Sequence, residues 1–441
     1  MVDYKFDVGI IGAGPAGLAA AFKAKSLGKT VVVIEKYLWG GTCPNYGCDP
    51  KKIMLTAVEG IKRAEKLANY GLHGQLQINW AALQANKKEY TDAVQPRKLH
   101  GLDKAGIQHF HGVASFVTPN QVNVGPISIE ATDWVIAVGQ KPKTLDFPGA
   151  EFTLNYEQFL NLPELKGEVA FIGAGYVGME FATITSTAGT KTHVITHGDS
   201  ALRSFDSDMV LQVVNEMQKK DVDFHFNSEV IKIEKLAGKY QITLSDDSVI
   251  VVDQVFNTAG RVGNHTELNL NAIGVENDLY EIKVDQYLRT NIPNIYAIGD
   301  VAKAQVAKLV PTGNFQGRYV AELIQNKISD PIKYPAIASV AFTSPRLAQV
   351  GILAKDANSA QTIKEKDFSK WITYYRNHEQ AIIKTVLNND GTVTGGSVYA
   401  LEAEEIINYL VEAINNKRTK LSFSQILYSY PSYGSDVSDF I

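Results

Sequence analysis

Cysteine is nearly absent from this 441-residue sequence: there are two, Cys43 and Cys48, and none after them. A secreted scaffold stapled by disulfides is thereby excluded. A basic excess is also missing, since Lys and Arg number 43 against 47 for Asp and Glu and the formal net charge is −4. Nothing then favours nucleic-acid phosphates or anionic lipid as a partner. Long apolar runs are lacking too. The most membrane-like stretch, Val8 to Phe22, is glycine-rich, too short to span a bilayer, and preceded by Asp3, Lys5 and Asp7 rather than by a positive segment. No signal peptide is read, no membrane partner is expected, and the expected compartment is the reducing cytoplasm. What remains is ordinary globular composition, 45% hydrophobic and 20% charged, long enough for roughly two to four domains.

The first forty residues read as strand (FDVGII), glycine turn (GAGPAG, Gly12 to Gly17), alanine-rich helix to Leu27, Gly28 as its terminator, and a second strand, TVVVIE. The pattern recurs from Glu168 to Thr196, with GAGYVG at Gly173 to Gly178 and Gly189 closing the helix. Two such βαβ units imply two dinucleotide sites. Between them, helices are expected near Lys51–Asn69 and Trp80–Leu99. Short strands (IQHFHGVASFV, QVNVG, DWVIAVG) should return to the first sheet. Pro142, Pro148 and Gly149 mark the crossing. A helix near Asp208–Lys219 and strands EVIKIEK, YQITLS and SVIVVDQVFNTAG follow, then TNIPNIYAIGD, ending at Asp300. From about Pro335 strands surround one helix, Ala403 to Asn415.

In the first glycine motif Gly12 permits the turn, Gly14 lets backbone approach a pyrophosphate, and Gly17 allows close helix–strand packing, while the helix N-terminus offers N–H groups. Glu35, ending the second strand, suits a ribose diol. Three readings compete for the cysteines in GGTCPNYGCDPKK: inert thiols, metal ligands or a redox disulfide. Two further metal ligands are not supplied, although His109 and His111 share a strand face. Lys51 and Lys52 can lower a nearby thiol pKa, whereas Asp49 disfavours an adjacent thiolate.

With CxxxxC after GAGPAG, a second GAGYVG, and then AVGQKP (137–142), TAGRVGN (258–264), AIGD (297–300) and FTSPRLAQVG (342–351) in order, the sequence resembles the pyridine nucleotide–disulfide oxidoreductase family. The resemblance runs from residue 5 to about 410. It implies an α/β fold with two Rossmann-like dinucleotide-binding domains and a C-terminal α+β dimerisation domain. The expected division is an FAD-binding domain at 1–150, a NAD(P)-binding domain at 151–280, a segment completing the FAD domain at 281–334 and a dimerisation domain at 335–441. It also implies FAD on Gly12, Gly14, Gly17, Glu35, Gly41, Thr42, Gly139 and Asp300, and a nicotinamide cofactor on Gly173, Gly175, Tyr176, Gly178, His197, Arg203 and Gly260. Cys48 matches the thiol nearest the flavin and Cys43 the thiol that attacks substrate. Lys52 and Glu180 match an ion pair beside the flavin N5, the alternative for Glu180 being a solvated acid. Tyr176 matches an aromatic gate where nicotinamide docks.

An NAD-type site has an acid at the end of the second strand of its βαβ unit, and here Thr196 stands there. NADPH-type members carry two arginines in the following loop; Arg203 supplies one and His197 fills the other slot. Gly178 leans toward NADH, yet NADPH is favoured. The sequence departs from the family at its end. Disulfide-reducing members carry a motif resembling HPTxSE, whereas this tail reads YSYPSYGSDVSDFI, with Tyr430 in the histidine slot and Ser435, beside Asp436, in the glutamate slot. The last histidine is His378. Tyr430 either donates a proton or packs at a dimer interface. The leading expectation is a homodimeric, glutathione reductase-like enzyme passing electrons from NADPH through FAD and the Cys43–Cys48 disulfide to a small-molecule or protein disulfide. A flavoprotein reductase of a metal ion, quinone or dioxygen, or a low-turnover redox sensor, is the alternative. No metal site is expected.

Overall fold

The structure, a computed structural model, describes residues 2–441. The chain divides into two compact units: residues up to Lys51 with Ala85–Lys143 and Gly260–Lys333, and Lys52–Gln84 with Thr144–Ala259 and Tyr334–Ile441. Among the described residues no helix is long and apolar enough to cross a membrane.

The first unit is built on a seven-stranded sheet. It uses β1 (Tyr4–Ile11), β2 (Val31–Glu35), β3 (Gln108–His111), β4 (Ala114–Thr118), β5 (Gln121–Val124) and β6 (Ile127–Ile136), in the order β3-β2-β1-β6-β5-β4. The apolar runs of β1 and β2 pair in parallel, Val8 with Val31 and Ile11 with Ile34. The last four residues of β1 and the first four of β2 are buried, as continuous hydrophobic strands in covered parallel sheets must be. Along one edge β6 carries two partners. Its first half pairs antiparallel with β5, and its last three residues pair in parallel with Ile295–Ala297. That second pairing brings the chain from residue 295 onward back to the first sheet. Helix α1 (Pro15–Ser26) packs through Ala16 and Ala20 against Gly313 and Gly317 of a helix at Val310–Ile324, which the sequence reading does not foresee.

Two helices follow β2: the short α2 (Thr42–Tyr46) and, after Gly47, the long α3 (Cys48–Leu67). The helix expected over Trp80–Leu99 is two, α4 (Trp80–Asp92) and α5 (Val94–Lys104). Pro96 has no N–H to give the Asp92 carbonyl, so the ladder breaks at Ala93, and the proline sits harmlessly in the first turn of α5. IQHFHGVASFV likewise splits into β3 and β4 around Gly112, and the strand read at DWVIAVG begins earlier, at Ile127.

The second unit contains a parallel sheet ordered 222–225, 191–195, 168–172, 254–257, and a three-stranded antiparallel sheet of Val230–Leu236, Lys239–Leu244 and Val249–Val252. The single strand expected over SVIVVDQVFN is cut at Asp253. The Asp253 N–H donates to the Glu168 carbonyl and its carboxylate accepts the Glu168 N–H at 3.0 Å, so the chain changes sheets there. A five-stranded antiparallel sheet ordered 339–341, 346–351, 393–400, 382–388, 361–367 completes the unit. The helix Ala403–Asn415 buries Ile406, Ile407, Leu410 and Ala413, one apolar stripe at helical spacing.

Candidate active site

The strand end of β1 opens into a loop shaped by contacts that only glycine allows. A Cβ on Gly17 would lie 1.9 Å from the Gly12 carbonyl, and one on Gly41 would lie 2.6 Å from the Gly14 Cα. The result is a bare backbone cradle at the N-terminus of α1, where Pro15 fills the first turn and no side chain caps the helix. Glu35 stands at its rim. Its Oε2 accepts the Ala13 N–H and its Oε1 the Tyr37 N–H, both at 2.8 Å. A helix N-terminus with no side-chain cap, a turn bare of bulky side chains and a fixed carboxylate fits the pyrophosphate and ribose of a dinucleotide.

From Gly41 the chain turns into α2 at Thr42, stitched by Asn45, whose side chain donates to the Gly41 carbonyl at 2.8 Å and the Trp39 carbonyl at 3.1 Å. Gly47 then makes the tight step between α2 and α3. A Cβ there would meet the Thr42 carbonyl at 2.8 Å and the Cys43 Cα at 3.1 Å. That approach brings the two cysteines into hydrogen-bond contact as thiols. Cys43 is half-buried and Cys48 exposed. The Cys43 pKa is pushed up, first by its hydrogen bond with Cys48, then by burial and by the negative charge of Asp49. Asp49 is not turned to solvent. Its Oδ1 accepts from Cys43 Sγ at 3.5 Å and its Oδ2 accepts the Tyr90 hydroxyl at 2.6 Å. Tyr90 is a participant that sequence reasoning misses.

In the same unit the Asp300 carboxylate receives Arg261 at 2.8 Å, and its carbonyl receives Lys308 at 2.7 Å. The preceding Gly299 N–H is held by Gln316. Gly139 and Gly260 both adopt positive φ, at 65° and 110°. Their backbones flank the short ladder of Gln140–Pro142 with Arg261–Gly263.

In the second unit Lys52 and Glu180 form an ion pair at 2.6 Å. Glu180 is 1% exposed, so the solvated-acid reading does not hold. Its other oxygen accepts the Phe342 N–H at 3.2 Å, and the Lys52 ammonium lies 3.7 Å from the centroid of the Phe342 ring. The second glycine turn repeats the first, with a Gly178 Cβ falling 2.1 Å from the Gly173 carbonyl and Gly175 capping the helix that opens with Tyr176. Thr196 is buried, and its hydroxyl accepts the Gly198 N–H, so it presents no carboxylate at the strand end. His197 and Arg203 meet on the exposed loop, guanidinium to Nε2 at 2.7 Å. Lys355 fixes that loop by donating to the Arg203 and Phe205 carbonyls. Tyr176 packs edge-on against Phe205, and burial raises its phenol pKa.

Residues 6–321 match the family model described as pyridine nucleotide-disulphide oxidoreductase, and residues 337–439 match its dimerisation domain. The chain belongs to the pyridine nucleotide-disulphide oxidoreductase family. It is 30% identical to a glutathione reductase of Burkholderia cepacia over 99% of this chain and 98% of that one. A glutathione reductase of a Nostoc species is 29% identical, over 97% and 98%. A dihydrolipoyl dehydrogenase of Bacillus subtilis is also 29% identical, over 97% and 94%. The family resemblance read from the motifs and the α/β fold with a C-terminal α+β region are borne out.

At the end of this family member, Tyr430 is 76% exposed. Ser435 donates to Asp436, whose carboxyl pKa is raised by burial. Arg346 is a further residue that sequence reasoning misses. Buried inside the FTSPRLAQVG stretch, it pairs with Glu59, Glu402 and Glu404. Its carboxylate partners are spread over α3 and the region of the 403–415 helix, a juxtaposition with no local sequence signal.

Proposed function

We propose that the protein is a homodimeric, cytoplasmic, glutathione reductase-like enzyme that uses FAD and NADPH to reduce a disulfide through Cys43 and Cys48. The observation that carries this reading is the thiol pair held in contact by the Gly47 step. We assign the four-part division given by the sequence: FAD-binding to 1–150 and 281–334, nicotinamide-binding to 151–280, and dimerisation to 335–441.

Gly12, Gly14, Gly17, Gly41, Thr42 and Gly139 would hold the FAD backbone-to-phosphate contacts, Glu35 its ribose and Asp300 its ribityl side. Bound FAD supplies a carrier that takes two electrons from reduced nicotinamide and gives them to a disulfide. The chain's own residues do the rest. Lys52 offers a positive charge that Glu180 keeps from wandering. Gly173, Gly175 and Gly178 leave room for the nicotinamide dinucleotide, and Tyr176 gates it. Arg203 with His197 offers donors to a 2′-phosphate where Thr196 offers no acceptor for a 2′-hydroxyl, which supports NADPH over NADH. Cys43 attacks the substrate disulfide, and Cys48 then resolves the mixed disulfide by attacking Cys43.

Anaerobic titration of the holoenzyme with NADPH, and separately NADH, tests this. The expected result is a long-wavelength absorption band at two electrons per subunit, formed faster with NADPH and lost in Cys48→Ser. Bleaching of the flavin without that band would show the thiols uncoupled from it and direct attention to metal-ion, quinone or dioxygen acceptors.

A further inference from the structure

We propose that Asp49 is the proton carrier of the Cys43 thiol, held to that task by Tyr90, so that this acid near the cysteines does the work for which the tail supplies no histidine. The inference rests on the disulfide-exchange reading above.

The Asp49 carboxylate is divided between two donors, Cys43 Sγ on Oδ1 at 3.5 Å and the Tyr90 hydroxyl on Oδ2 at 2.6 Å. It lies in the first turn of α3, where a helix N-terminus favours a carboxylate. Tyr90 comes from α4, and the Arg97 guanidinium of α5 sits 5.2 Å from its ring centroid. The ionisable groups around Asp49 include Cys43, Cys48, Tyr90 and, behind the ring, Arg97, with Lys51 and Lys52 two and three residues further along α3. A carboxylate is a poor neighbour for a thiol that needs only to ionise, because its charge and its hydrogen bond both push the Cys43 pKa up. The arrangement makes chemical sense if the proton leaves as the sulfur attacks.

The step balances as follows. Cys43 Sγ attacks one sulfur of the substrate disulfide, its S–H bond breaks, and the proton passes to Asp49 Oδ1. A Cys43–substrate S–S bond forms while the substrate S–S bond breaks, and the departing thiolate takes the proton from Asp49. Cys48 then attacks Cys43, the Cys43–Cys48 bond forms, and the second thiolate leaves with the Cys48 proton. Two thiols of the enzyme are oxidised and one disulfide is reduced to two thiols. Tyr90 touches no reacting atom; it is a positioning residue that keeps the carboxylate turned to Cys43.

The test has two arms on holoenzyme, with flavin absorbance and circular dichroism checking the fold. In a Cys48→Ser background Cys43 is the sole cysteine, so iodoacetamide reports its ionisation across pH. Adding Asp49→Asn should speed alkylation near neutral pH about three- to tenfold, because the neighbouring anion is gone. With both cysteines present, Asp49→Asn should lower kcat/KM for glutathione disulfide about 100-fold. An aryl disulfide, dithiobis(nitrobenzoate), whose leaving thiolate needs no proton, should lose less than about tenfold. Tyr90→Phe should lower kcat for glutathione disulfide with little change in KM, and Asp49→Glu should restore part of the loss. Unchanged alkylation in Asp49→Asn, or equal losses on the two disulfides, would overturn the proposal. If wild type reduces neither disulfide, or Cys43→Ser keeps wild-type rates, the disulfide reading itself falls and the carrier role with it. A faster alkylation in Asp49→Asn would then still mark Asp49 as the neighbour of Cys43.

Discussion

Replacing Lys52 with Met takes the cationic partner from the buried Glu180 carboxylate, which keeps the Phe342 N–H. Removing one partner of a buried ion pair costs about 3–5 kcal/mol, because an uncompensated charge stays behind. Glu180 is 1% exposed, but the Lys52 side chain keeps 31% of its surface open to water, so solvent screening trims the expectation to about 2–3 kcal/mol. Met preserves the contact with the Phe342 ring, so the loss reports charge rather than packing. At about 2–4 °C per kcal/mol, the unfolding transition of this unit should fall by roughly 4–12 °C. Glu180→Gln removes the buried charge and keeps an acceptor for Phe342. The double variant Lys52→Met/Glu180→Gln should therefore be more stable than Lys52→Met alone by at least about 1 kcal/mol. Scanning calorimetry of the three variants and wild type at neutral pH measures this. A Lys52→Met transition within about 1 °C of wild type, or a double variant no better than Lys52→Met, would refute the reasoning.

One guanidinium, Arg346, faces three carboxylates, and burial pushes the Glu404 pKa up to about 7. A raised carboxyl pKa means the folded chain holds a proton that the unfolded chain releases, so the stabilising share is complete below about pH 4.5 and lost as pH rises to about 7. Glu404→Gln should then gain on wild type across that window, levelling off near 3 kcal/mol at alkaline pH, in urea unfolding at several pH values; a gap that does not grow with pH would contradict it. Arg203→Ala should raise KM for NADPH about tenfold and leave KM for NADH within about twofold, and steady-state kinetics with both cofactors would show whether the loss is selective. Gly47→Ala places a methyl group against the Thr42 carbonyl and Cys43, so thiol counting after mild oxidation should show slower pairing of the cysteines than in wild type. Equal rates would mean the Gly47 step does not control their approach.

The first glycine turn was legible because its demands are local: a strand, a backbone with no room for Cβ, a helix start and an acid lie within thirty residues. The break at Ala93 was equally local, and Pro96 signals it, yet the reading of one helix over Trp80–Leu99 passed over that proline. The helix at Val310–Ile324 was hidden by its own glycines, which weaken a helix in isolation but here let it approach α1. Tyr90 and Asp49 are 41 residues apart in sequence, and no periodicity links a phenol on one helix to a carboxylate on another. Glu180 could be placed inside only through the family resemblance, since position on a helix alone does not reveal which face is covered. Arg346 shows the same limit: its partners converge from distant segments.

The two-partner edge of β6 has a consequence for synthesis. The strand at Ile295–Ala297 emerges from the ribosome long after Trp134–Ile136, with the whole parallel sheet of 168–257 made in between. That later sheet is closed by strands near one another in sequence and has its partners as soon as residue 257 is out. The earlier one must wait with the second half of β6 unpaired on that side, an open ladder able to recruit another nascent chain. Chains stopped before residue 295 are thus the ones to watch for aggregation.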